Sequence, residues 1–149
     1  RLRSFKYYDD LYNLVVEEMN NDYDIVIHSA AISDYKLEDF KQGKIKSGQK
    51  ELLLKFVPTV KIVDLFKKIN PNLFLIMFKL EVDKNKDELL LIAKKSKERA
   101  RADVIVANDF RLIKNIHAAY IVTDDDIVRV TGKENIAKKL LEIVNERFK

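Results

Sequence analysis

The apolar positions change period along the chain, and each change marks an element. Over residues 10–20, Leu11, Leu14, Val15 and Met19 recur at helical spacing, with Asp9 or Asp10 as the expected N-cap. Ile25, Val26 and Ile27 then form a short unbroken apolar run before His28, which reads as a buried strand. Residues 29–49 carry no period and hold Gly43 and Gly48. Residues 51–57 alternate, predicting a strand with Leu52, Leu54 and Phe56 on one face.

The rest of the chain alternates helix and strand. Residues 59–69 predict a helix burying Ile62, Val63, Phe66 and Ile69, and residues 73–80 the most apolar strand. Residues 84–101 predict a helix whose acids come early and bases late, as the helix dipole favours. Residues 103–107 predict a strand and residues 108–115 an irregular loop. Two further strands, 118–123 and 127–130, flank the turn Asp124-Asp125-Asp126 as a hairpin. Thr131 and Glu134 have the spacing of a capping box for a last helix burying Ile136, Leu140, Leu141 and Val144. Helices alternating with apolar strands predict one α/β domain over residues 1–149. The expected form is a three-layer Rossmann-like sandwich, with a mostly parallel sheet and an antiparallel C-terminal hairpin. Ligands of such sheets sit at the carboxyl ends of the strands, here after Ile27, Leu80 and Ala107.

Composition narrows the chemistry. There is no cysteine, and His28 and His117 stand far apart, so neither a thiolate nor a paired-histidine metal site is expected. A net charge of +4, spread along the chain, favours anionic ligands without arguing for nucleic acid. No apolar run approaches a membrane span, and the chain reads as cytoplasmic. No glycine precedes Gly43, so the Gly-rich phosphate turn that opens most nucleotide-binding α/β domains is missing.

Several segments together resemble one family. Ser29-Ala30-Ala31-Ile32-Ser33-Asp34-Tyr35, followed by Lys44-Ile45-Lys46, is similar to the A-A-V-A-D-Y and K-I-K-K of phosphopantothenate–cysteine ligases. The likeness continues through Pro58-Thr59-Val60-Lys61-Ile62-Val63, Phe78-Lys79-Leu80-Glu81 and Asp103-Val104-Ile105-Val106-Ala107-Asn108-Asp109, in order and over nearly the whole chain. The resemblance implies a ligase of coenzyme A biosynthesis that joins 4'-phosphopantothenate to cysteine. CTP or ATP would be the co-substrate with Mg²⁺, through an acyl-nucleotidylate. It also implies a homodimer, and an FMN-binding decarboxylase domain if one is fused upstream. Relative to the family, the expected domain lacks its first βα unit.

By the same resemblance, Ala30, Ala31, Asp34, Lys44, Ile62, Val63 and Phe78 are nucleotide-binding positions. Lys44 is the catalytic lysine of a K-x-K-K flap, and Lys46 and Asn108 are further candidates. The chain departs from bacterial members in three places. Ser47 follows Lys46, Thr59-Val60-Lys61-Ile62-Val63 stands for N-P-D-I-V, and Ser96 and Ala100 replace two helix lysines. These differences match the archaeal type and leave the nucleotide open between CTP and ATP.

Each residue also has a plainer reading. Ala30 and Ala31 suit any strand-to-helix junction, Asp34 a turn, Lys44 and Lys46 a solvated loop, Phe78 a core, and His28 a partly buried histidine. The rival functions are a short-chain nicotinamide reductase, suggested by His28-Ser29-Ala30-Ala31, and a non-catalytic α/β module. Against the reductase, no tyrosine has a lysine four positions later.

Overall fold

The computed structural model describes residues 1–38, 43, 45, 47–111 and 117–149. Among them, the elements in chain order are α1 (Tyr8–Glu18), β1 (Ile25–His28), β2 (Tyr35–Leu37), β3 (Phe56–Pro58), α2 (Ile62–Ile69) and β4 (Phe74–Glu81). Then come α3 (Lys86–Ala100), β5 (Val104–Asp109), β6 (Ala118–Val122), β7 (Ile127–Thr131) and a last helix, α4 (Lys133–Arg147).

Five strands form one sheet in the order β1-β4-β5-β6-β7. β1, β4 and β5 are mutually parallel, and β6 runs antiparallel to both β5 and β7. Four of the five strands therefore point the same way. The four apolar segments at 25–27, 73–80, 103–107 and 118–123 are neighbours in the sheet, in sequence order. The β6–β7 turn closes by Thr123 N–H donating to Asp126 O at 3.0 Å and Asp126 N–H to Thr123 Oγ1 at 3.0 Å.

The pleat of β4 divides the core. Leu73, Leu75 and Met77 face α1, α2 and α3, packing with Leu11, Phe66, Leu89 and Ala93. Phe74 and Ile76 face the other way, where they join Val104, Val106, Ala119 and Ile121 beneath Ile136 and Leu140 of α4. The architecture is the three-layer α/β sandwich, with α4 alone among these helices on its face.

Some local expectations fail, for identifiable reasons. Within the segment 51–57 only Phe56 and Val57 lie in a strand, β3, whose partner β2 is three residues long. Lys55 O accepts one further hydrogen bond from Glu38 N–H at 3.0 Å. Leu53 is left 89% exposed. α1 starts at Tyr8, so Asp10 is not the N-cap. It occupies the third helical position and accepts from Tyr7 N–H at 2.9 Å and Lys6 N–H at 3.2 Å.

The Thr131–Glu134 capping box does not form, because Thr131 is committed to the ladder opposite Ala118. Gly132, at φ 89°, takes the N-cap position, where its missing Cβ permits the positive φ. Ile69 and Leu141 are exposed, and Leu65 rather than Ile69 is buried on α2. Asn108 belongs to β5, which runs on to Asp109, and not to a loop.

Candidate functional site

β1, β4 and β5 end side by side, and a cavity of about 670 Å³ opens there, within the range of small-molecule sites. It is lined by residues 29–34, by Lys61, by Phe78, Lys79 and Leu80 of β4, and by Asn108 of β5. Its floor is set by the parallel ladder, which pairs Phe78 with Val106 and Leu80 with Asn108. Its wall is the segment after β1, pinned to the approach of α2. Thr59 N–H donates to Asp34 O at 2.9 Å and Thr59 Oγ1 to Ser33 O at 2.8 Å. Tyr8 of α1 donates its hydroxyl to Val60 O at 2.8 Å.

This cross-linking sets Asp34 against Lys61, and the two side chains form an ion pair. The Lys61 ammonium, hydrogen-bonded to it, holds the Asp34 carboxyl below its ordinary range, with Lys79 and Arg99 adding at longer reach. Lys79 is itself paired with Glu81 at 3.0 Å. The cleft is thus polar and cationic on one side and apolar at Phe78. The short side chains of Ala30 and Ala31 leave main-chain groups accessible along its wall.

Five of the sequence candidates, Ala30, Ala31, Asp34, Phe78 and Asn108, come together in this cleft. Ile62 and Val63 do not line it. Their side chains are buried in the core beneath α2, so only main-chain amides of that helix's first turn remain for a ligand. Lys44 and Lys46 lie outside the described residues.

Two lining lysines, Lys61 and Lys79, were given no role from the sequence. Their signal was present in the quoted segments, one immediately before the α2 helix and one beside Phe78. His28, at the end of β1, packs its ring 5.4 Å from that of Phe66, and burial pushes its pKa down. It does not line the cleft.

Asp109 follows Asn108 at the end of β5. It is buried and accepts from Lys84 N–H and Arg111 N–H, each at 2.9 Å. The first of these bonds is the main cause that holds its carboxyl below the ordinary range. It ties the β4–α3 turn to the end of β5, a structural task for the Asp of Ala-Asn-Asp.

Among the described residues no three carboxylates or histidines converge to hold a metal ion. No helix among them is long and apolar enough to cross a membrane.

Comparison with known proteins bears on this geometry. Two curated relatives are coenzyme A biosynthesis bifunctional proteins CoaBC. One, from Thermococcus kodakarensis, is 34% identical over 128 residues, covering 83% of this chain and 31% of the relative. The other, from Methanocaldococcus jannaschii, is 33% identical over 138 residues, covering 89% of this chain and 33% of the relative. The chain therefore spans about a third of the length of these relatives.

Among solved structures, the DNA/pantothenate metabolism flavoprotein from Streptococcus pneumoniae superposes with a TM-score of 0.86 at 34% identity. The match covers 97% of this chain and 72% of that one. A Cab2 mutant in complex with phosphopantothenate-cysteine shares the fold at 19% identity and TM-score 0.55, covering 78% of this chain and 44% of that one. Residues 5–148 match the model of one family, and this sets aside the reductase alternative: the chain belongs to the DNA/pantothenate metabolism flavoprotein C-terminal domain family.

Proposed function

We propose that this chain provides the nucleotide-binding, carboxylate-activating site of a phosphopantothenate–cysteine ligase in coenzyme A biosynthesis. The observation that carries the reading is the cleft at the carboxyl ends of β1, β4 and β5. It gathers an aromatic ring, a carboxylate, two lysines and two small residues. The CoaBC relatives and the phosphopantothenate-cysteine bound to the Cab2 neighbour support it.

A carboxylate does not react directly with an amine, because oxide is not a leaving group. In the proposed reaction a carboxylate oxygen of phosphopantothenate bonds to the α-phosphorus of CTP or ATP. The bond from that phosphorus to the bridging oxygen breaks, and pyrophosphate leaves with the electron pair. The cysteine amine then bonds to the activated carbonyl carbon, the nucleoside monophosphate departs, and the nitrogen loses a proton to give the amide. Two polyanions must be held together, so the protein's task is positioning and charge neutralisation more than supply of a nucleophile.

Phe78 offers a ring on which the base packs, and Asp34 accepts from a donor on base or ribose. Ala30 and Ala31 let main chain approach the ligand, as do the first-turn amides at Ile62 and Val63. Asn108 borders the far side. Lys44, with Lys46, closes over the phosphates and stabilises the charge on departing pyrophosphate. The described residues form no metal cage, so Mg²⁺ would arrive on the triphosphate oxygens. The active form in this reading is a cytoplasmic homodimer.

The test is pyrophosphate release by the intact protein with phosphopantothenate, cysteine, Mg²⁺ and either CTP or ATP. Release that needs nucleotide and phosphopantothenate, with phosphopantothenoylcysteine as product, is expected. No nucleotide-dependent product would end the ligase reading.

A further inference from the structure

The cleft is lined by one carboxylate and two lysines, with Arg99 outside the lining but near enough to act on that carboxylate. One of these three cations is not explained by the fold. Lys79 has Glu81 at 3.0 Å, and Arg99 has Asp64 at 3.2 Å. Among the described residues the ion-pair partner of Lys61 is Asp34 alone. Lys61 sits at the N-cap of α2, where the helix dipole disfavours a cation, and its side chain caps nothing. Both side chains of the pair are exposed, 41% for Lys61 and 62% for Asp34, so the pair adds little to stability. Yet the two Thr59 hydrogen bonds hold these backbones together, and both residues line the cavity.

We propose that Lys61 and Asp34 form an exchangeable latch that selects nucleotides over simple polyphosphates. As a nucleoside triphosphate enters, the Lys61 ammonium moves from the Asp34 carboxylate to a phosphate oxygen. The released carboxylate then accepts from a hydroxyl or N–H of the ribose or base. Breaking an exposed pair costs little, and a multiply charged phosphate offers the stronger charge-assisted bond. An inorganic polyphosphate can take Lys61 as well, but has nothing to donate to Asp34 and leaves that carboxylate unpaired beside an anion. The proposal rests on the ligase reading for its choice of ligand and assigns selectivity within it.

The experiment titrates inorganic tripolyphosphate, CTP and ATP calorimetrically into the intact wild type, Lys61→Gln, Asp34→Asn and the double variant. Lys61→Gln should weaken nucleotide and tripolyphosphate alike, by about tenfold or more, as for a lost charge-assisted bond. Lys61→Arg should restore part of it. Asp34→Asn should act with opposite signs, tightening tripolyphosphate severalfold and weakening nucleotide. In the double variant the tripolyphosphate gain should vanish, because it operates through Lys61. A gain that persists without Lys61 would reduce Asp34 to a general charge effect and overturn the latch. So would unchanged tripolyphosphate affinity in Lys61→Gln, or no tripolyphosphate binding by the wild type. If the sign pattern holds while pyrophosphate release is absent, the ligase reading falls and the latch stands. Normal turnover without Lys61 dependence gives the reverse.

Discussion

At the amino ends of β4 and β5, Lys67 reaches Asp103 at 2.8 Å. The same Asp103 oxygen accepts the Leu75 N–H at 2.7 Å, which ties the start of β5 to β4. Lys97 meets Asp124 at the same end with its side chain only 9% exposed. At the carboxyl ends, Lys61 meets Asp34 in the open, and neither side chain bonds to the backbone of the sheet. The same two residue types thus do different work. At the amino ends the lysines are buried, and at Asp103 the carboxylate also satisfies a main-chain donor, so loss of one partner strands the others. At the carboxyl ends solvent can replace either partner, which leaves the pair free to respond to a ligand. The contrast separates a pair that holds the fold from a pair that, in the proposed function, meets a substrate.

The largest expected effect follows from the role proposed for Lys44. In the intact protein, Lys44→Gln should slow pyrophosphate release by about 10²–10³, as for loss of one preorganised group acting mainly in the transition state. Its urea midpoint should stay at the wild-type value. Lys46→Gln should be milder, since Ser47 already stands where the family resemblance implies a further lysine. Wild-type turnover in Lys44→Gln would remove the catalytic role proposed for it.

The complementary variant lies at the other end. Asp103→Ala leaves the buried Lys67 ammonium and the Leu75 N–H without their acceptor. It should cost about 3 kcal/mol of stability in urea unfolding. Loss of less than about 1 kcal/mol would mean that the pair is no more structural than an exposed one.

How far the sequence revealed each end follows from what encodes it. The strands Phe74–Glu81 and Ala118–Val122 stand out because both of their faces are covered over most of their length, which forces unbroken apolar runs. Ile25–His28 has such a run but lies at the edge of the sheet, half-buried and with Ile27 exposed, and so is not the buried strand its sequence predicts. Residues 51–57 misled because their alternation has the period of a strand, yet sequence cannot say that the partner is only three residues long. Asn108 looked like loop because Asn and Asp favour turns, whereas Asp109 extends β5 by accepting two main-chain hydrogens. In the cleft, Ala30, Ala31, Asp34 and Phe78 were legible through an ordered resemblance, not through any single residue. Lys61 was not, since a lysine before a helix carries no local signature. Its meaning comes from Thr59, which brings it to Asp34 across 27 positions of chain.

A third test uses the border between the two ends' behaviours. His28 lies at the carboxyl end of β1 but is packed against Phe66, so it should behave as part of the fold. Burial lowers its folded-state pKa below the ordinary 6.5. Between the folded value and 6.5 the unfolded chain therefore holds a proton that the folded chain lacks. Acidification through that window favours unfolding, and the contribution of His28 to stability is fully present above it. The loss of stability from pH 7.5 to pH 5 should be smaller in His28→Phe than in wild type, read from urea midpoints at both values. Equal losses would mean that the imidazole takes its proton as freely as in water.

The smallest expected effect is the most diagnostic for the comparison. Asp34→Asn removes the charge from an exposed pair while leaving intact the hydrogen bond that Asp34 O accepts from Thr59 N–H. The folded-state carboxyl is held below its ordinary value of 3.8, so whatever stability it contributes is present above that value and lost as pH falls through the lowered one. At neutral pH that contribution is exposed to solvent and salt, and the variant should change unfolding free energy by no more than about 0.5 kcal/mol. Raising the salt concentration should shrink even that difference, because exposed charges are screened over about 8–10 Å at ordinary ionic strength. The check is a urea curve at low and high salt for wild type and Asp34→Asn, run beside Asp103→Ala. A salt-insensitive loss at Asp34 approaching the one at Asp103 would make both ends structural, and the cleft pair would no longer be free to open for a ligand.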